Sequence, residues 1–185
     1  MATQRNQFLL YDPLLPPKDK LELSKDEMFL KEIGQSGMFH VHSEKIMYSV
    51  DAVKINQRNY YQNRFICITT EHIFSMKSSN ALSRIFSKKK LVIRRKLALK
   101  DINRIVYSSE SDQFILGNQL YDLVYESNNR NDIIEYTLRS LHLSCPGQYS
   151  LPFYFVKDYG LNDVANHEHR PPLKKITEEP IVPFV

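Results

Sequence analysis

The basic residues are the side chains with the clearest chemical potential, because they are concentrated in one segment. Between Ser83 and Lys100 the chain carries eight basic residues and no acidic one. The rest of the chain carries 17 basic and 21 acidic residues, so this segment holds the whole positive excess behind the formal net charge of +4. An anionic partner would therefore be attracted to this segment.

Two basic clusters in this segment flank the apolar triplet Leu91–Ile93. We predict anion or lipid binding for the first cluster and partner binding for the second. They consist of Lys88, Lys89 and Lys90, and of Arg94, Arg95 and Lys96. A nucleic acid or an acidic protein surface would suit the same charge, and a strand with solvated, charged ends is the structural alternative. Nucleic acid is not favoured, because the basic patch is the only feature that supports it.

Residue patterns for catalysis or metal binding are missing from the sequence. The five glycines form no phosphate-binding loop, and no nucleophile elbow is present. The pairs His40/His42 and His167/His169 have a spacing that could hold a metal on a strand, but no cysteine or carboxylate cluster completes either pair. We therefore expect a protein that is not an enzyme, with no cofactor and no metal.

Hydrophobic patterning predicts a mainly β domain that ends in a helix. Short β-branched and aromatic runs separated by polar residues predict seven strands. These are residues 46–55, 64–70, 72–76, 91–99, 104–108, 113–116 and 120–126, and residues 151–156 could add one more. Asp132 opens an amphipathic helix, which Pro146 and Gly147 end. A capping-box pattern, Ser24 followed by Glu27, predicts a short earlier helix from Ser24 to about Ile33. The order of elements predicts a curled antiparallel sheet or barrel of the pleckstrin-homology (PH) type, with the last helix covering one open end.

Several of these segments resemble the tail homology domain (TH1) of class I myosins, in the same order. The stretch Ser43–Lys54 resembles its opening strand, and Arg64–Thr69 resembles its second. The resemblance continues at Leu99–Ile102 with Ile105–Ser108, Ser111–Phe114, Asp122–Val124 and Asp132–Glu135. It covers roughly residues 25 to 160 and implies a PH-like fold that binds rather than catalyses. No motor accompanies it in this sequence.

The resemblance also implies a phosphate-binding pocket. In that family and in PH domains, a Lys late in the first strand and an Arg early in the second line an inositol-phosphate pocket. The matching positions are Lys54 and Arg64. Many lipid-binding members carry a further basic residue two positions before the Arg, where this chain has Gln62. In a PH-like sheet Arg58 and the Lys88–Lys90 loop would join Lys54 and Arg64 at one open end.

The chain divides into three predicted parts. Residues 1–23 read as an irregular arm, residues 24–160 as the TH1/PH-like domain, and residues 161–185 as an extended arm. The C-terminal arm offers further partner-binding candidates: Pro171, Pro172, Pro180 and Phe184. No stretch reaches the about 18–20 apolar residues of a membrane span, and the N-terminus lacks the apolar region of a signal peptide.

Two functions fit these features. The one we favour is a non-catalytic adaptor, a structural subunit of a cytoskeletal assembly such as a ciliary axoneme, with protein partners. The alternative is a peripheral membrane module that binds anionic phospholipid or phosphoinositide headgroups through Lys54, Arg58, Arg64 and Lys88–Lys90. Both place the protein in the cytoplasm, either on the cytoskeleton or at the cytoplasmic face of a membrane.

Overall fold

The computed structural model describes residues 16–34, 44–78, 91–145, 151 and 153–156. The strands are β1 (Lys18–Asp19), β2 (Ile46–Ile55), β3 (Tyr61–Thr69), β4 (His72–Ser78), β5 (Leu91–Ala98), β6 (Arg104–Ser108), β7 (Gln113–Gly117), β8 (Asp122–Glu126) and β9 (Phe153–Val156). The helices are α1 (Glu27–Glu32) and α2 (Arg130–Ser144), and short 3-10 turns span Leu23–Lys25 and Leu99–Asp101.

All nine strands belong to one sheet, in the order β5-β4-β3-β2-β8-β7-β6-β9, with β1 beside β2. Neighbours among β2 to β8 pair antiparallel, whereas β1 on β2 and β9 on β6 are parallel. No ladder joins the edge strands β5 and β9 within the described residues, so the curled sheet does not close. The predicted antiparallel PH-like sheet with a C-terminal helix is confirmed, and β1 and β9 extend it.

The main core lies on the inner face of the curled sheet, beneath helix α2. Alternate strand residues point to this face because side chains in a strand have a period of two. They include Tyr48, Val50, Ile66, Ile68, Phe114, Leu116, Leu123 and Tyr125, and α2 adds Ile133, Ile134 and Leu141. The rings of Tyr48 and Tyr136 stack with centroids 4.7 Å apart. Helix α2 is therefore a structural part of the domain, and truncating Ile133 to Ala would cost about 2–5 kcal/mol of stability.

The two ends of the sheet differ. Ile55, the last residue of β2, pairs with Tyr61 of β3 and with Val124 of β8. The turns at residues 56–60 and 118–121 therefore emerge at the same end, which we call the open end. At the opposite, closed end, Tyr48 donates a hydrogen bond to Asp132 of α2, at 3.0 Å between oxygens.

The N-terminal segment differs from the prediction, because it is built into the domain. Lys18 and Asp19 pair with β2, although residues up to 23 were expected to be irregular. Leu23, Phe29 and Ile33 then pack on the outer face of the sheet, against residues that include Cys67, Phe74 and Met76. This second apolar layer covers β3, β4 and β5.

The predicted start of the first helix was wrong. The N-cap of α1 is Asp26, whose carboxylate accepts hydrogen bonds from the backbone of Met28 and Phe29. Ser24 lies instead in the preceding 3-10 turn. Asp26 satisfies two otherwise unpaired N–H groups of the first turn, so it outcompetes the capping-box pattern.

Strand ends shift by a few residues from the prediction. β3 begins at Tyr61 rather than Arg64, because the β2–β3 ladder continues to the Ile55–Tyr61 pair. β8 begins at Asp122 rather than Leu120. Both differences lie at the open end.

Candidate anion-binding site

Lys54 and Arg64 lie on the inner face at the open end. In the β2–β3 ladder Ala52 pairs with Arg64, and Lys54 pairs with Gln62. Ala52 belongs to the main core, so its side chain points to the inner face of the sheet. Because side chains alternate along a strand and paired residues point to the same face, Lys54, Gln62 and Arg64 also lie on the inner face. Diagonal neighbours in a ladder lie about 7–8 Å apart, within reach of long side chains. The two predicted cations are therefore placed together, and both are half-buried.

Hydrogen bonds hold the Arg64 guanidinium in place. Its Nη2 donates to Gln62 Oε1 at 2.6 Å, and its Nη1 donates to the Asn63 carbonyl at 2.9 Å. Burial lowers the pKa of Arg64, the positive charge of Arg94 lowers it further, and Tyr125 acts in the opposite direction. Gln62, where the family pattern has a basic residue, thus serves here to orient the arginine.

Arg95 lies on the same side of the sheet. It pairs with Ser75 of β4, which pairs in turn with the core residue Ile66 of β3. The Arg95 guanidinium stacks on the ring of Tyr121, with its central carbon 4.4 Å from the ring centroid. Tyr121 precedes β8 at the open end, so this contact bridges β5 and the β7–β8 turn.

A polar floor lies beneath these arginines. Tyr125 is fully buried, and burial raises the pKa of its phenol to about 12, although Ser75, Arg64 and Arg95 act to lower it. The Ser75 hydroxyl is close enough to the Tyr125 phenol to lower its pKa through a side-chain hydrogen bond, and neither hydroxyl has another hydrogen-bond partner among the described residues. The inner face beneath the arginines therefore carries two buried hydroxyls in addition to its apolar side chains.

The remaining predicted cations are distributed differently. Arg58 is exposed at the tip of the β2–β3 hairpin, and Arg94 is exposed on β5. Lys96 is separated from them: its Nζ lies 5.3 Å from the ring centroid of Phe74 and 3.7 Å from Glu44 Oε1, on the outer face. The structure therefore divides the predicted partner-binding triplet between two faces. Lys88, Lys89, Lys90, Pro171, Pro172, Pro180 and Phe184 lie outside the described residues.

A cluster at the closed end was missed by sequence reasoning. Ligand atoms of Glu44, Glu71 and His72 lie within 4.8 Å of one another. The Glu44 carboxylate accepts from Thr69 Oγ1 at 2.6 Å and lies 2.7 Å from His72 Nδ1. Hydrogen bonds and the nearby Lys96 already satisfy this carboxylate, so the cluster is best explained as a structural network. The histidine pairs His40/His42 and His167/His169 lie outside the described residues.

A salt bridge at the open end was also not predicted from the sequence. Arg104 Nη2 donates to both carboxylate oxygens of Asp122 at 2.7 Å, across Gly117 of the strand between them. A Cβ on Gly117 would lie 2.6 Å from Arg104 Cγ and 2.7 Å from Asp122 Oδ1. Glycine is therefore required for the bridge to cross the strand.

Comparison with known families agrees with this layout. The family model described as "Unconventional myosin tail, actin- and lipid-binding" matches residues 18–155. The chain belongs to this family. The match begins at Lys18 and so includes β1 and both α-helices, together with every described residue of the candidate site.

Solved structures that include PH domains are similar to this chain at low sequence identity. The Slm1 PH domain in complex with D-myo-inositol-4-phosphate is 14% identical over 55% of this chain and 97% of its own, with a TM-score of 0.41. The N-terminal PH domain of human ARAP2 is 17% identical over 55% and 84%, with a TM-score of 0.42. The hSac2 domain of the human phosphoinositide phosphatase Sac2 is 9% identical over 63% and 79%, with a TM-score of 0.42. Similarity at this sequence identity and TM-score does not show which ligand this chain binds.

No curated protein matches the sequence. Neither α1 nor α2 is long and apolar enough to cross a bilayer, and the described residues contain no other α-helix.

Proposed function

We propose that this TH1 domain is a non-catalytic docking module that binds anionic phospholipid headgroups at its open end. The observation that carries the proposal is the convergence of Lys54 and Arg64 on the inner face of the sheet, with Arg95 on the same side. A phosphorylated headgroup requires several cations around one concavity, and the guanidinium fork matches phosphate oxygens.

The charge distribution supports this assignment. Arg58 and Arg94 are exposed, whereas Asp122, an acidic residue at the start of β8 at the open end, is paired with Arg104. Attraction to an anionic leaflet contributes about 1 kcal/mol per basic residue near the surface. Loss of two such residues would therefore weaken binding by about 2 kcal/mol, roughly 30-fold.

The test is co-sedimentation with liposomes that contain a phosphoinositide, compared with liposomes of phosphatidylcholine alone. The Lys54→Ala/Arg64→Ala variant removes two charges from the open end. The matched control, Lys45→Ala/Lys100→Ala, removes two exposed charges from the closed end. We expect phosphoinositide-dependent pelleting that the first variant loses and the control retains. Equal pelleting of the two variants would reject the proposed site.

A second candidate is a docking subunit of a cytoskeletal assembly, for example in a cilium. The actin binding named in the family description supports it, and so do the exposed cations Arg94 and Lys96 on β5. Pelleting with actin filaments that an Arg94→Ala/Lys96→Ala variant loses, and that Lys54→Ala/Arg64→Ala retains, would support this candidate. Absence of pelleting with actin would leave the membrane function as the better account.

A further inference from the structure

Exposed apolar side chains are concentrated at the open end. Among the described residues, five large hydrophobic side chains are more than half exposed, and three of them lie there. Tyr60 and Tyr61 follow the tip of the β2–β3 hairpin and are 64% and 62% exposed, and Leu120 on the β7–β8 turn is 73% exposed. The other two are Met28 on α1 and Leu143 at the end of α2.

Both turns are held rigid by an asparagine. Asn56 Oδ1 accepts from the backbone of Arg58 at 2.9 Å and of Tyr60 at 3.0 Å. Asn118 Oδ1 accepts from the backbone of Leu120 and Tyr121, both at 2.8 Å. The apolar side chains are therefore displayed outward by ordered turns, at the cost of exposing apolar surface to water.

Cations surround these turns. Arg58 is on the same hairpin tip as Tyr60, Lys54 and Arg64 lie just inside it, and Arg95 stacks on Tyr121 next to Leu120. Apolar and aromatic tips with a cationic surround complement a bilayer interface, where tyrosine rings are enriched and anionic headgroups lie at the same depth. An acidic protein surface would suit the cations but would offer no apolar phase for the side chains of two separate turns.

We propose that Tyr60, Tyr61 and Leu120 insert into the interfacial layer of an anionic bilayer, as two apolar prongs on either side of the headgroup site. The proposal rests on the proposed membrane function and adds a docking orientation to it. The open end faces the membrane, and α2 at the closed end faces away from it. Both prongs must enter together, because they project from the same end of one rigid sheet.

The chain contains no tryptophan, so a single introduced tryptophan reports its own surroundings without background. Four variants suffice: Tyr60→Trp and Leu120→Trp at the prongs, and Met28→Trp and Leu143→Trp as controls at positions elsewhere that are also more than half exposed. Each is mixed with vesicles of phosphatidylcholine, phosphatidylserine and a phosphatidylinositol bisphosphate, with and without brominated acyl chains. Pelleting is measured on the same samples.

We expect a blue shift and bromine quenching for the two prong variants, and neither for the two controls. A Tyr60→Ser/Leu120→Ser variant should bind these vesicles about tenfold more weakly, whereas Met28→Ser/Leu143→Ser should not change. Pelleting without quenching at either prong would overturn the insertion and leave the headgroup site intact. Equal quenching in all four variants would overturn the orientation. No pelleting of any variant would reject the membrane function itself, and the insertion with it.

Discussion

The Gly117→Ala substitution tests how the open end is held together. The added Cβ would lie 2.6 Å from Arg104 Cγ, 2.7 Å from Asp122 Oδ1 and 2.9 Å from Arg104 Nε. Carbon atoms in contact prefer separations of about 3.5–4.0 Å, so both side chains would have to move. Displacing either side chain would disturb the 2.7 Å hydrogen bonds of the bridge.

The cost of this substitution follows from the burial of Asp122. Its side chain is 0% exposed, and that of Arg104 is 21% exposed. Removing one partner of a buried pair costs about 3–5 kcal/mol, because the remaining charge is left in a poorly solvated site. The substitution strains the bridge without deleting a partner, so we expect about 2–4 kcal/mol of lost unfolding free energy.

Urea unfolding followed by circular dichroism measures this cost. The decisive comparison is the same substitution in an Arg104→Ala background, where Cγ and Nε are gone and the steric conflict with Arg104 is removed. The Gly117→Ala cost should then fall by more than half, a coupling that a double-mutant cycle reports directly. A cost below about 0.5 kcal/mol, or an unchanged cost in the Arg104→Ala background, would refute this reasoning.

Two further predictions concern the site and the N-terminal segment. Gln62→Arg adds a cation between Lys54 and Arg64, so affinity for phosphoinositide vesicles should rise about fivefold in co-sedimentation, and an unchanged affinity would argue against a pocket at this point. Burial raises the pKa of Asp19, but hydrogen bonds from Ser49 and from the backbone of Ser24 and Leu23 outweigh it and hold the pKa below its usual value of 3.8. Asp19 therefore contributes stability that is complete above pH 3.8 and is lost as pH falls through the lower folded value. Asp19→Asn should destabilise the domain at neutral pH by about 1–2 kcal/mol, with a difference that shrinks below pH 3.8, and a gap that stays constant on acidification would contradict this role.

Strands β2 to β8 and helix α2 could be predicted because their signals are local. β2 to β8 show apolar residues at a period of two between turn residues, and α2 shows apolar residues at helical spacing. Residues 151–156 were likewise expected to add a strand, which is β9, but the short parallel strand β1 could not be predicted in this way. Lys18–Asp19 is too short to show a period, and its pairing with Tyr48 and Ser49 is distant in sequence.

The candidate site shows the same division. The family resemblance predicted Lys54 and Arg64 as site residues, but it did not predict that the Arg95 side chain lies on the inner face. The β4–β5 ladder pairs Ser75 with Arg95 and then Met76 with Ile93, so one extra residue, Arg94, sits in a bulge. A bulge shifts the alternation of inward and outward side chains, and no sequence period records it.

The two turns at the open end could be predicted only in part. Asparagine side chains commonly bond to backbone two residues ahead, so Asn56 and Asn118 carried a readable signal for a turn. Their shared location at the open end depends on the pairing of β2 with β8, which joins residues distant in sequence. The apolar prongs therefore become visible as one surface only in the folded sheet.

Titration of the isotope-labelled protein with a water-soluble inositol bisphosphate, followed by amide chemical shifts, tests the central claim most directly. It removes the bilayer and asks only where a phosphorylated headgroup binds. We expect saturable shifts at Lys54, Gln62, Arg64 and Arg95, weakened in Lys54→Ala/Arg64→Ala, with Lys45 and Lys100 unchanged. Saturable shifts confined to the closed end, or no shifts at the open end, would contradict the assignment of this end as the headgroup site.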